Sequence, residues 1–253
     1  MAVSLQRAGM WKRISAFLFD AILSGILAVL FAFLLSSVLG YDRYVDTLNR
    51  CYEAYGAEYG VDFQTSLSRY DAMTEEERQQ LEEAYRAVGQ DEEAAYAYQM
   101  TIRLTILMVS LGILLACLIW EVLIPALLKD GQTLGKKIFS LGVMRSDGVR
   151  LGGVQLFVRS ILGKYTVEIM IPVLVMMMLY FGSLGLPGTL LILGLALGNG
   201  CLFLFTYAHT PIHDLLAGTV TVDLPSQRIF NTREDMIAYK EKLAAEKAAE
   251  KTF

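Results

Sequence analysis

The chain has 253 residues, of which 55% are hydrophobic and only 19% charged, and its mean hydropathy is +0.44. A soluble domain carries about 25% charged residues and does not gather its apolar residues into runs of about 20, so the composition excludes an ordinary soluble globule and points to a membrane protein. The net charge of −4 conceals a segregation of charge along the chain, and with no basic domain nothing argues for nucleic acid as a partner.

The basic stretch MAVSLQRAGMWKR leads into a first span over about 14–39. Its apolar core is longer than that of a signal peptide and no small-residue cleavage site follows, so it reads as an uncleaved span that also serves as the insertion signal. Within RISAFLFDAIL one charge, Asp20, interrupts the run seven residues after Arg13. Residues 40–103 carry fourteen acidic residues, six arginines and no lysine. This segment is too long for a simple connector. Thr74 followed by Glu77 reads as a capping box, and Leu81, Ala84, Tyr85 and Val88 follow at helical spacing. We therefore read a helical extracytoplasmic insertion. Its many tyrosines either pack at an interface or offer a docking surface to a partner or cation.

A second span covers about 104–128 and contains Glu121, with Pro125 four residues on. In the loop after it, Gly131 and Gly135 bracket a turn and Ile138 to Met144 suits a short strand. Asp147-Gly148 signals a hairpin turn, and Val154 to Leu162 suits an amphipathic helix carrying Arg159. The third span covers about 166–182 and the fourth about 189–208, joined by the turn SLGLPG. Residues 223–253 form a charged tail, rich in Ala, Glu and Lys, that reads as a solvated helix. The fold class is thus an all-α membrane protein of four transmembrane helices, with a helical extracytoplasmic insertion and a short β-hairpin in a cytoplasmic loop. Membrane residues 1–222, insertion 40–103 and tail 223–253 are its parts.

Charge asymmetry sets the orientation. Arg7, Lys12 and Arg13 precede the first span. Lys129, Lys136, Lys137, Arg145, Arg150, Arg159 and Lys164 lie between the second and third, and four lysines follow the fourth. These segments and both termini are expected in the cytoplasm, with 40–103 outside. Counted from that face, Asp20 lies about 10 Å, Glu121 about 12 Å and Asn199 about 15 Å into the bilayer, with Glu168 near the rim. Intramembrane polar and ionisable groups are costly and functional by default, so Asp20, Glu121, Glu168 and Asn199 are candidates for an ion or proton relay. Pro125 and Pro172 lack the amides that would bond the carbonyls of Glu121 and Glu168, which adds backbone ligands or merely kinks the helices. The competing account is structural: Arg13, Arg159 and Asp214 form ion pairs, with an arginine or another helix holding Asp20. The three cysteines show no metal, redox or disulfide spacing. His209 and His213 have the spacing of a helical metal pair, but Pro211 intervenes and no third ligand is evident. No metal or cofactor is expected, and no catalytic set suggests an enzyme.

Arg13 and Asp20 in RISAFLFD, the loop GQTLGKKIFSLGVMRSDG, Arg159 and HDLLAGTVTV at 213–222 together resemble the RDD family of bacterial integral membrane proteins. The family is named for one arginine and two aspartates. The resemblance maps these onto Arg13, Asp20 and Asp214, and covers 13–222 apart from the insertion, which is longer than the family leads one to expect. It implies a multi-pass protein of the bacterial inner membrane. It also implies transport, with cation/proton antiport suggested for some members. The expected function is therefore transport through intramembrane carboxylates, with Asp20 and Glu121 titrating, in the bilayer and as a homo-oligomer. The alternative is a non-transporting scaffold or regulatory subunit that binds another protein.

Overall fold

The computed structural model describes residues 8–64, 69–180, 182, 185–206 and 210–250. Arg7, the last residues of the expected fourth span and His209 lie outside them. Among the described residues, four helices are long and apolar enough to cross a membrane. These are α1 (Met10–Leu39), α4 (Glu92–Leu127), α6 (Gly153–Tyr180) and α7 (Leu186–Phe205). Large apolar side chains of α1, among them Phe17, Ile22, Ile26, Val29 and Phe33, stay exposed. A helix apolar all round that does not bury itself in protein is one that lipid solvates.

The chain divides into two compact units, one of residues 30–112 and one of 1–29 with 113–253. In the first, α2 (Tyr41–Tyr59) packs with α3 (Glu75–Gln90). Thr74 and Glu77 form the expected capping box at the start of α3. Leu81, Ala84 and Val88 are its buried stripe, while Tyr52, Phe63 and Tyr85 meet edge-on at 5.1 and 4.9 Å. Asp91 accepts from the amide of Ala94 at 2.8 Å and from the Tyr55 hydroxyl at 3.0 Å. This capping explains why α4 begins at Glu92, well before the apolar stretch from residue 104: the membrane sets the apolar window, but the cap sets the helix.

In the second unit, α5 (Leu134–Ile138) leads to strand β1 (Leu141–Arg145). Asp147-Gly148 does form a tight turn, crossed by the Met144–Arg150 bridge and the Arg145 amide donating to the Val149 carbonyl at 2.9 Å, but no strand follows it as partner to β1. The partner of β1 is instead β2 (Thr219–Asp223), antiparallel, from Leu141 opposite Asp223 to Arg145 opposite Thr219. The expected local hairpin is thus a long-range pairing that joins the loop after α4 to the segment after α7. Alternation along β2 divides its side chains. Val220 and Val222 pack on Met144, and Thr219 and Thr221 point the other way. The amphipathic stretch 154–162 is not a separate helix but the start of α6. The beginning of the tail is not free either, because Arg150 donates to the Phe230 carbonyl at 2.8 Å and Phe230 to that of Gly148 at 3.2 Å. Only α9 (Arg233–Glu250) forms the expected charged helix.

Two glycines allow close approaches that position everything below. A Cβ on Gly135 would strike the Ala16 carbonyl of α1 and lie 2.9 Å from the Asp20 carboxylate. A Cβ on Gly163 would lie 2.6 Å from the Cα of His213, in the short helix α8 (Ile212–Ala217) that packs along α6. Gly163→Ala should therefore force α8 away from α6 and cost about 1–3 kcal/mol, the usual range for overpacking. Gly25→Ala, with open space around it, should leave the melting temperature in detergent unchanged. Equal melting temperatures for the two variants would contradict this packing.

Candidate functional site

Asp20 is 3% exposed, and its carboxylate is held by neutral donors. Trp120 Nε1 and the Gly135 amide reach Oδ1 at 3.0 and 2.8 Å, and the Thr133 hydroxyl donates to Oδ2. Thr133 is also the N-cap of α5, accepting from the amide of Lys136. One carboxylate thus ties together α1, α4 and the loop that carries α5. Of the two expected holders, an arginine or another helix, it is another helix, α4, that supplies a donor through Trp120.

Asp214, in α8, has the arginine. Arg159 Nε donates to its Oδ1 at 2.7 Å, as does the Thr219 hydroxyl at 2.7 Å, and Thr221 reaches Oδ2 at 3.4 Å. Burial alone would raise the Asp214 carboxyl. The charge of Arg159 beside it and the Thr219 hydroxyl bring it well below the usual carboxylate range. The next residue, His213, faces Glu168: its amide donates to Oε1 at 3.0 Å and Nδ1 lies 2.8 Å from Oε2. Its Nε2 lies 3.1 Å from Arg159 Nη2. A neutral imidazole protonated on Nδ1 satisfies both contacts, since guanidinium only donates. Asn199 of α7 accepts from the Ile212 amide at 3.0 Å, so α8 is strapped to both α6 and α7.

Glu121 stands apart from this set. Lys164 donates to its Oε1, and the Ser160 hydroxyl to its backbone carbonyl at 2.7 Å. Its Oε2 is buried without a hydrogen-bond donor, and Arg159 Nη1 lies 3.7 Å from it. Glu121 lies in a π-helical turn, Leu118–Leu123, and Glu168 in a π-helical stretch, Val158–Met170. Each ends two residues before the proline noted in the sequence, so Pro125 and Pro172 mark where the backbone ladder shifts register. Such turns gather at functional sites.

These groups surround a cavity of about 530 Å³ between α1, α6, α7 and α8. Asp20, Glu168 and Asn199 all line it, whereas Glu121 does not: it lies behind Lys164 and Arg159, which do. No contact joins Asp20 to Glu121 among the described residues, although Trp120, the neighbour of Glu121, holds Asp20. Arg13 is buried at the rim with its guanidinium 5.8 Å from the centre of the Phe203 ring, within electrostatic reach of Asp214. Arg13, Asp20 and Asp214 therefore line one cavity.

The family model described as the RDD family matches residues 7–218. The chain belongs to the RDD family. No curated protein and no solved structure matches it. For this RDD protein the matched span contains all three residues on which the resemblance rested, and the geometry gives each a physical place. Sequence reasoning missed Trp120, Thr133, Lys136, Lys164 and Thr219. Thr133 was visible within GQTLGKK, but its partner, Asp20, lies 113 residues earlier in the chain.

Two outcomes follow for this set. Asp20→Asn replaces a two-sided acceptor by an amide whose NH₂ must face Thr133 or two N–H groups. It should cost about 1–3 kcal/mol, seen as a lowered melting temperature in detergent. An unchanged melting temperature would contradict the lock. Lys136 is half-buried. Burial, with the like charge of Arg159, lowers its ammonium from an ordinary 10.5 to about 8, against the pull of Glu121. Between these values the unfolded chain binds more protons than the folded one, so stability rises with pH through that window. Lys136→Met should accordingly gain more melting temperature over wild type at pH 7 than at pH 10. A gain that grows with pH would contradict the assignment.

Proposed function

We propose that this RDD protein transports a small charged solute, with the cavity between α1, α6, α7 and α8 as its binding site. The observation that carries the reading is the cavity itself, a pocket of about 530 Å³ walled by apolar helices and edged with charged groups. Pockets of this size suit small ligands. Broken backbone ladders at Glu121 and Glu168 are the kind of feature that transporters place beside their sites. The excess of lysine and arginine near the rim supports a cytoplasmic placement of that end.

The carboxylates that line the cavity already accept from Trp, Thr, Gly, His and Arg donors, so they are poorly disposed to ligate a cation. By contrast, the Lys136 ammonium makes no hydrogen bond or ion pair among the described residues. The solute assigned here is therefore anionic. One observation favours the other sign: the donorless Oε2 of Glu121 is a buried carboxylate oxygen that a cation or proton would satisfy.

Transport is tested without knowing the solute. In a background freed of Cys51, Cys117 and Cys201, Ala196→Cys is reconstituted in vesicles and labelled with a membrane-impermeant maleimide from each face. Labelling from both faces is expected of a site with alternating access. Labelling from one face only overturns transport and leaves a binding or scaffold role. Pulses of Na⁺, K⁺ or Li⁺ with a pH-sensitive dye separate the two signs. No signal is expected for an anion site, whereas a signal abolished by Glu121→Gln would establish cation/proton exchange instead.

A further inference from the structure

The cavity is chemically two-ended. Arg13, Lys136, Arg159 and Lys164 line it near the rim. Pro172, Ile192, Leu195 and Ala196 also line it, on the apolar lengths of α6 and α7. Along α7 the lining runs from Ile192 to Phe203, eleven residues or about 16 Å of helix. Along α6 it runs from Arg159 to Pro172. A small inorganic anion would use only the rim and leave most of this length without a partner.

The charge at the rim is also unevenly committed. Asp20, Glu168 and Asp214 are each bound to donors of the protein. Arg159 is spent on Asp214, and Lys164 on Glu121. The ammonium of Lys136 has no such partner among the described residues, yet it lines the cavity. Half-burying a cation without a hydrogen-bonded partner is unfavourable, and an anionic group in the cavity would supply one.

We infer that the cavity binds a single-chain anionic amphiphile, its carboxylate or phosphate head against Lys136 and its hydrocarbon chain along the apolar face of α7 toward Ile192. The inference rests on the proposed placement of the solute in this cavity and specifies its chemical class. The volume of about 530 Å³ limits the occupant to one chain and a compact head. The shared head chemistry has two sources, a lipid such as a fatty acid or lysophosphatidic acid, and free phosphate. The apolar length favours the lipid.

Trp120 provides the reporter, because it touches the cavity-lining Asp20 and the only other tryptophan is Trp11. The protein carrying Trp11→Phe is placed in nanodiscs of phosphatidylcholine and titrated with 9,10-dibromostearate. Saturable quenching of Trp120 is expected, above the background given by the equally brominated alcohol. Lysophosphatidic acid should relieve it and inorganic phosphate should not. Lys136→Met should weaken apparent affinity about tenfold or more, the scale of one charge-assisted hydrogen bond. Ala196→Phe should reduce the maximal quench by filling the apolar end, with an unchanged melting temperature as the check on folding. Quenching that never saturates, that matches the alcohol, or that ignores both variants overturns the inference. Relief by phosphate as potent as by lysophosphatidic acid also overturns it and leaves a free-anion site. Failure of quenching with two-sided maleimide access defeats this inference alone. Intact quenching with one-sided access defeats transport and leaves the amphiphile site standing.

Discussion

A carboxylate within an apolar span must be neutralised, paired or saturated with donors, and Asp20 is saturated. Its donors come from the indole of Trp120 in α4 and from Thr133 and Gly135 at the start of α5. Neither Trp120 nor Asp20 lies beside the other in sequence, so the interaction fixes how the first and second spans meet. It also docks the loop after α4 against α1 at the point where Gly135 has no side chain to intervene. From that docking point the chain enters β1, whose pairing with β2 closes the sheet. β2 in turn sets Thr219 and Thr221 against Asp214.

The second half of the architecture repeats the same logic with a charged partner. Asp214 is held by Arg159 and two threonine hydroxyls. His213 bridges Glu168 and Arg159, and Asn199 takes the amide of Ile212. A helix of six residues, α8, is thereby fastened to two spans through polar contacts at its first turn. Breaking such a buried pair by removing one partner is far more damaging than replacing both with apolar groups, because the survivor is left charged in a poor solvent. Asp20 and Asp214 are thus fasteners in this geometry, and with Arg13 they line its cavity.

Much of this was legible in the sequence, for identifiable reasons. Runs of apolar residues revealed four spans because the bilayer imposes a length on them. The capping box at Thr74 was legible because it is local. The helix from Val154 was read but not its continuity with the third span, and the start at Glu92 was not read, since the hydropathy that marks a span says nothing about how far a helix extends beyond it. The hairpin expected around Asp147 failed because a turn motif specifies a reversal but not the partner strand, which here is 78 residues from Leu141 to Thr219 along the chain. Asp20, Glu168 and Asn199 were placed in the cytoplasmic half of the bilayer by counting the helical rise, and they do share a cavity. Depth alone could not reveal that Glu121 turns away toward Lys164, because that depends on the π-helical turn around it. The two prolines were the available signal for that turn.

The central claim is that Asp20 joins α1 to α4 through a hydrogen bond that stabilises the folded protein. A double-mutant cycle of Asp20→Asn and Trp120→Phe, read by reversible unfolding in detergent, tests it most directly. Contacting groups in one network couple by about 0.5–3 kcal/mol, and a coupling of about 1 kcal/mol or more is expected here. Strictly additive losses would mean that the carboxylate and the indole act independently, and would contradict the account.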